Sequence, residues 1–325
     1  MSNFRWGILG TGGIAKAFSQ DLSLLEGHVV AAVGSRTLNS AQRFAELHPG
    51  SIAYGSYEEL VNADVDAIYV ATPHPMHYEN TMLAMKAGKP VLCEKAFTLN
   101  AAEARALVQY SQSHSIALME AMWSRFLPHI KTIKEIIASG ELGVISHLSA
   151  DHGQYIPYER APRLWEPELG GGALLDLGIY PLTMADLIFG TPHTIVASAT
   201  LTDKKVDLNT SIILKYSDGA IANLSCTMAV RGSVSATISG DKARIEIDGP
   251  FYAPTSFRVI SRDGVVVEYP KSYAGIGLRE EAAEFARMVR AGAIESPLMP
   301  HGKSIELMET MDEIRRQIGV KYPGE

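Results

Sequence analysis

The run Gly10-Thr11-Gly12-Gly13-Ile14-Ala15 constrains the fold of this chain more than any other feature, because of what flanks it. Before it, Phe4 to Leu9 is a short apolar run of strand type. After it, Ile14, Ala17, Phe18 and Leu22 recur at helical spacing. Strand, glycine turn and helix in that order fit a dinucleotide-binding turn, Gly10-x-Gly12-x-x-Ala15. Gly10 permits the tight turn, Gly12 lets the main chain approach a pyrophosphate, and Ala15 lets the helix pack closely on the strand. The helix N-terminus offers unpaired N–H groups to the anion, so Gly10, Thr11, Gly12, Gly13 and Ile14 are the candidate contacts.

The rhythm that follows supports this reading. Up to about residue 120, apolar strand-like runs (His28–Val33, Asp66–Ala71, Pro90–Cys93) alternate with helical patterns, one of them opened by Asn100 as an N-cap. Nearly continuous apolar strands between helices imply a parallel, doubly wound α/β sheet. Beyond residue 120, an apolar helix from Ala173 to about Phe189 precedes a series of strands from Thr194 to Ile260. Asp218-Gly219 and Asp263-Gly264 mark hairpins there. The expectation is a dinucleotide-binding domain over 1–121. Over 122–325 it is an α+β domain with a large, mostly antiparallel open sheet, and helices near 277–291 and 303–317 close the chain.

The end of the second strand, Val33-Gly34-Ser35-Arg36-Thr37, addresses the choice of nucleotide. No acid stands there to hold a ribose 2′-hydroxyl, and none appears until Glu46. Arg36 instead suits a 2′-phosphate, with Ser35 and Thr37 as further donors. NADP is therefore the expected cofactor, with NAD the alternative.

Composition excludes other classes. The 325 residues carry a net charge of -7 and no Lys/Arg block, which disfavours nucleic acid. Cys93 and Cys226 lie in apolar runs and read as reduced, buried thiols, which points to a cytoplasmic protein. The N-terminal residues run straight into a strand, and no eighteen-residue apolar run suggests a membrane partner. His74 and His77 are three apart, but no Cys or acid cluster completes a metal site.

At this point the chain resembles the Gfo/Idh/MocA family, which includes glucose–fructose oxidoreductase and inositol dehydrogenase. The resemblance rests on Gly7 to Ala15, Ala71-Thr72-Pro73 with His77, Cys93-Glu94-Lys95, Gly170 to Asp176, and Gly178-Ile179-Tyr180-Pro181. Met122 to Pro128 and Tyr180 look like its dimeric dihydrodiol dehydrogenase branch, associated with oxidation of trans-dihydrodiols and D-xylose-type aldoses using NADP. The resemblance implies a Rossmann domain and a homodimer formed through the open second sheet. It also implies that Lys95 lies beside nicotinamide and substrate, with Thr72, Pro73, His77 and Glu94 nearby on the cofactor side. Glu94 either orients Lys95, contacts the ribose or makes a local ion pair. The family's usual Pro after this Lys is Ala96 here, which removes a φ restraint.

Many relatives pair an Asp with a His four positions on, where this chain has Asp176 and Tyr180. On a helix these share a face, so both suit one pocket with Lys95. Tyr180 is the expected acceptor of a hydroxyl proton, with Lys95 as the competing carrier. Asp176 would hold a substrate hydroxyl or keep Lys95 protonated. Trp123, Arg125, Arg163 and Trp165 are the substrate-side candidates. The function expected is hydride transfer at a hydroxyl-bearing carbon of a sugar, polyol or trans-dihydrodiol. A non-catalytic NAD(P)-binding sensor of the same fold is the alternative.

Overall fold

Six short parallel strands, most of them buried on both faces, organise the N-terminal part of the chain. The computed structural model describes residues 2–325. They divide into two compact units: residues up to Phe126 with Gly275–Ile305, and Leu127–Ala274 with Glu306–Glu325.

The first unit runs β1 (Phe4–Leu9), α1 (Gly13–Leu22), β2 (His28–Gly34), α2 (Leu38–Ala45), β3 (Ile52–Tyr54) and α3 (Tyr57–Leu60). It continues through β4 (Ala67–Val70), α4 (His77–Lys86), β5 (Val91–Glu94), α5 (Ala101–His114) and β6 (Leu118–Ala121). Strand order is β3-β2-β1-β4-β5-β6. Order reverses between β1 and β4, and the crevice at the C-terminal strand ends beside that switch is where such sheets bind nucleotides. β4, β5 and β6 bury every residue, as strands covered by helices on both faces must. Asn100 caps α5 by accepting the Glu103 N–H at 3.0 Å. The core joins sheet to helix through aromatic rings: Phe18 of α1 stacks on Tyr69 of β4 at 3.8 Å and meets Trp6 of β1 edge-on.

The second unit opens with α6 (Pro128–Ala138) and β7 (Ile145–Gly153). After a helical segment from Leu174 come α7 (Ile179–Phe189), β8 (Thr194–Leu201), β9 (Asp207–Lys215), β10 (Ile221–Thr227) and β11 (Ala236–Gly240). β12 (Ala243–Ile247), β13 (Phe257–Ser261) and β14 (Val266–Tyr269) complete it. Its eight strands lie in the order β14-β13-β12-β11-β7-β10-β9-β8. Only the β7–β10 pair among them is parallel. Gly219 and Gly264 take φ of 93° and 85° in the β9–β10 and β13–β14 turns, which is why glycine stands at both. Along β9 and β10 buried residues alternate with more exposed ones, so one sheet face is covered and the other is open.

The apolar segment expected as one α-helix departs from that expectation. Leu174–Gly178 is wound as a π-helix before α7 begins. The reason lies in Pro181, which has no N–H to give the Leu177 carbonyl four residues back and whose ring would crowd it. His152 Nδ1 reaches that carbonyl oxygen instead, at 3.1 Å. Residues 167–189 are long and apolar enough to cross a membrane by length and composition, but 72% of their most apolar window is buried inside the protein. This is a core helix.

The chain returns to the first unit with α8 (Leu278–Arg290), and α9 (His301–Ile318) follows. Asp21, at the end of α1, accepts the N–H groups of Ile276, Gly277 and Arg279 at 2.9–3.0 Å. It thereby caps α8 from 255 residues away and satisfies donors that no residue of α8 serves.

Candidate active site

The turn after β1 is built to admit an anion. Gly10 has φ of 105°, and a Cβ there would stand 2.9 Å from the Ala71 carbonyl oxygen, so only glycine fits. A Cβ on Gly12 or Gly13 would meet nothing within 4 Å. The N-terminus of α1 thus faces open space, and no acid stands in its first turn. These are the conditions a pyrophosphate requires. Thr11 Oγ1 lies 3.4 Å from Ser35 Oγ, and Ile14 is half-buried. Arg36 is exposed. Thr37 is already engaged: its hydroxyl accepts the Ser40 N–H at 3.3 Å as the N-cap of α2.

Lys95 follows β5 at the C-terminal edge of the sheet and is half-buried, and its peptide bond to Ala96 is cis. Two imidazoles lie against the main chain of this loop. His77 is 1% exposed and holds Nδ1 2.9 Å from the Ala96 carbonyl oxygen and Nε2 2.8 Å from that of Thr72. His74 Nε2 lies 3.2 Å from the Lys95 carbonyl oxygen. Burial pulls the His77 pKa down to about 4, against the carbonyls, which favour the charged ring. His77 thus lies between the β4 terminus and the Lys95 loop, and as a neutral ring with one N–H it donates to one of these two carbonyls. Pro73 is exposed beside it, and Thr72 accepts Asn80 Nδ2 at 3.2 Å.

Behind Lys95 stands a group of buried carboxyls, of which the sequence singled out only Glu94. Glu94 accepts the Lys95 N–H at 3.1 Å and the Tyr69 hydroxyl. Glu120, at the end of β6, accepts the Phe97 N–H at 3.2 Å, and burial raises its pKa to about 7. Glu281 of α8 is fully buried with neither carboxyl oxygen hydrogen-bonded. Burial first, then the charges of Glu94, Glu120 and Asp21, push its pKa well up. Only Glu94 falls within a sequence motif; the others lie in short buried strands or on a helix far along the chain.

In the second unit, Asp176 lies in the π-wound turn and accepts Arg163 Nη2 at 3.0 Å. The structure thus brings together two of the residues selected from sequence. The Trp165 indole N–H donates to the Ile156 carbonyl at 3.2 Å. In the first unit, Arg125 Nε donates to the Leu298 carbonyl at 3.1 Å, and Trp123 is nearly buried.

Tyr180 begins α7 and stacks on Tyr252 at 4.2 Å, with His152 5.3 Å from it. His152 Nδ1 donates to the Leu177 carbonyl, which leaves Nε2 to accept from Gln154 Nε2 at 2.8 Å. The same Gln154 nitrogen is 3.4 Å from the Tyr252 hydroxyl. One network therefore fixes the π-turn, the imidazole tautomer and the ring against which Tyr180 lies. Gln154, His152 and Tyr252 were not selected from the sequence. The only signal was the polar content of β7, which breaks an otherwise apolar alternation.

Comparison with known proteins agrees with both halves of this picture. Residues 4–122 match the model of the oxidoreductase family with an NAD-binding Rossmann fold, and residues 130–246 match the GFO/IDH/MocA C-terminal domain. The D-xylose 1-dehydrogenase (NADP(+)) of Hypocrea jecorina is 38% identical over 98% of this chain and 93% of its own length. The chain belongs to the GFO/IDH/MocA oxidoreductase family. Another member, the trans-1,2-dihydrobenzene-1,2-diol dehydrogenase of Danio rerio, is 37% identical over 98% of each chain. Among solved structures, KijD10, a 3-ketoreductase from Actinomadura kijaniata in complex with NADP and TDP-benzene, superposes with a TM-score of 0.87. It is 26% identical and covers 99% of both chains. An aldose-aldose oxidoreductase from Caulobacter crescentus gives a TM-score of 0.87 at 25% identity over 97% of each.

Proposed function

We propose that this protein is an NADP-dependent dehydrogenase acting at a hydroxyl-bearing carbon of a sugar, polyol or trans-dihydrodiol. The observation that carries this reading is the segment 174–180, which holds a carboxylate tied to Arg163 and, four residues on, a buried phenol. It stands in a chain whose first unit offers an open glycine turn and Arg36 where an NAD-selective protein would hold an acid. The named activities of the dehydrogenases at 37–38% identity point the same way.

Gly10, Thr11, Gly12, Gly13 and Ile14 would hold the pyrophosphate, and Arg36 with Ser35 the 2′-phosphate. When bound, the nicotinamide supplies the hydride acceptor. Tyr180 takes the proton from the substrate hydroxyl. A free phenol has a pKa of about 10 and is a weak base at neutral pH, so it needs a cation to favour the phenolate. Lys95 supplies that charge and stabilises the developing alkoxide. Asp176, oriented by Arg163, accepts a second substrate hydroxyl, and the flat Tyr252 ring and the Gln154 amide border the place where the substrate lies.

The open face of the second sheet supports a homodimer. Val196 and Ile213 stand 49% and 41% exposed there beside Ser149, Ser198 and Asn223, an arrangement suited to another copy of the chain. A dimeric mass in solution is expected, and a monomer at micromolar concentration would contradict it.

The test of function is a screen of NADP+ and NAD+ reduction over aldoses, inositols and trans-dihydrodiols, run with Tyr180→Phe beside wild type. Turnover with NADP+ that Tyr180→Phe loses is expected. Tight NADP+ binding with no turnover on any of them would overturn the reading.

A further inference from the structure

The last residues of the chain reach back to the segment that carries Asp176 and Tyr180. Tyr322, 2% exposed, donates its hydroxyl to the Gly171 carbonyl at 2.8 Å. Its ring lies 4.8 Å from the guanidinium of Arg315, which is itself held by Asp312 and by Glu325. Glu325 also accepts the Tyr322 N–H at 3.0 Å, which closes the tail on itself. The tail is therefore docked through the buried Tyr322 ring and hydroxyl and through the Arg315 guanidinium.

Gly171 sits in the middle of the Gly170-Gly171-Gly172 run. The N–H groups of Gly171 and Gly172 donate to the carbonyls of Glu166 and Leu164 at 3.0 and 2.8 Å. Those two carbonyls bracket Trp165 and directly follow Arg163, the residue paired with Asp176. A Cβ on Gly171 would stand 2.7 Å from the Leu164 carbonyl oxygen, so the run has no slack. From the other side, Asp207 accepts the Leu174 N–H and the Thr210 hydroxyl, each at 2.8 Å. Its second oxygen packs so closely that a Cβ on Gly172 would be 2.1 Å from it. Asp207 is wholly buried, and burial raises its pKa to about 6, which leaves it an anion at neutral pH aimed at the first N–H of the π-wound turn.

We infer that Asp207 and Tyr322 are positioning residues for catalysis, a clamp from β9 and the C-terminal tail that sets the register of the π-wound turn and thereby the placement of Asp176 and Tyr180. Neither residue touches substrate in this account. A buried hydrogen bond at a remote anchor can shift a reacting group by a fraction of an ångström, and misplacement on that scale slows turnover out of proportion to its effect on binding. The inference rests on the proposed roles of Asp176 and Tyr180.

The experiment compares Tyr322→Phe, Asp207→Asn and Asp207→Ala with wild type and Tyr180→Phe. It measures kcat, KM, NADP+ affinity and the kinetic isotope effect with substrate deuterated at the reacting carbon. Tyr322→Phe removes one hydroxyl and keeps the ring, and its kcat is expected to fall about three- to tenfold. KM and NADP+ affinity stay within about twofold, and the isotope effect grows because hydride transfer becomes slower relative to other steps. Asp207→Asn, which still offers an oxygen to the Leu174 N–H, retains most of the activity that Asp207→Ala loses. Should Asp207→Ala fail to fold, the Tyr322→Phe and Asp207→Asn arms decide alone. Wild-type kcat and isotope effect in Tyr322→Phe, with Tyr180→Phe impaired, would overturn the clamp while leaving the proposed function intact. An unimpaired Tyr180→Phe would instead remove the reading on which the clamp rests.

Discussion

Arg163 and Asp176 meet at 3.0 Å, the guanidinium coming from the turn before the triple glycine and the carboxylate from the π-wound turn after it. The Arg163 side chain is 42% exposed and that of Asp176 14%, so the pair faces solvent on one side and protein on the other. Such a pair adds only about 0–1 kcal/mol to stability. Arg163→Ala is therefore expected to unfold in urea within about 1 kcal/mol of wild type. Its kcat/KM should fall on the order of tenfold, mostly through KM, because an unoriented carboxylate binds the substrate hydroxyl less well. Steady-state kinetics beside the unfolding curve check this, and an unchanged KM would show that the pair is only structural.

The two glycines of the nucleotide turn should respond in opposite ways. Gly10→Ala puts a side chain at φ of 105° and 2.9 Å from a carbonyl oxygen, so it should destabilise the fold by about 1–3 kcal/mol. Gly12→Ala meets only open space and should leave the melting temperature nearly unchanged. The same methyl stands where the pyrophosphate must approach, so NADP+ affinity should drop at least about tenfold. Thermal melts with titration calorimetry separate the two. Equal NADP+ affinity in wild type and Gly12→Ala would place the nucleotide elsewhere.

Arg36 is the residue proposed to select the nucleotide. It is exposed where β2 ends. Arg36→Ala should weaken NADP+ binding by about 2 kcal/mol, the worth of a charge-assisted contact, and leave NAD+ binding alone. Affinities for both nucleotides, measured in both proteins, check this. A parallel loss for NAD+ would assign Arg36 to the fold and not to the 2′-phosphate.

Glu120 gives a pH signature. Its pKa is raised from 4.5 to about 7 in the fold. The folded state therefore binds its proton more tightly, and the stability this provides is full below pH 4.5 and is lost as pH rises through 7. Glu120→Gln keeps an oxygen for the Phe97 N–H but never ionises. The variant and wild type should unfold alike near pH 4.5, and the variant should gain by up to about 3 kcal/mol by pH 8. Urea titrations across that range measure the difference, and a gap that does not change with pH would contradict the assignment.

Much of this architecture can be read from local pattern. The glycine turn between β1 and α1, the Asn100 cap and the Asp-Gly hairpins each depend on neighbours in sequence. The unread parts depend on distance. Asp21 caps a helix 255 residues away, and nothing near either end marks the pairing. Pro181 does sit in plain view, yet its effect on the Leu177 carbonyl emerges only when His152 arrives from β7 to satisfy it. Asp176, Tyr180 and Arg163 stand out as polar residues in or beside apolar runs. Gln154 and Tyr252 belong to a strand end and a loop where polar residues are ordinary, and Glu281 reads as one more acid at a helix start. Trp165, chosen as a substrate-side aromatic, has its N–H on the Ile156 carbonyl, a bond that no neighbour in sequence marks.

The most direct test of the account is the rate at which the purified protein reduces NADP+ with D-xylose or trans-1,2-dihydrobenzene-1,2-diol, wild type against Lys95→Ala, with NADP+ affinity measured for both. The account predicts turnover by wild type on at least one substrate. In Lys95→Ala it predicts a loss on the order of 100-fold or more, with NADP+ still bound. A Lys95→Ala protein that turns over at the wild-type rate would contradict it.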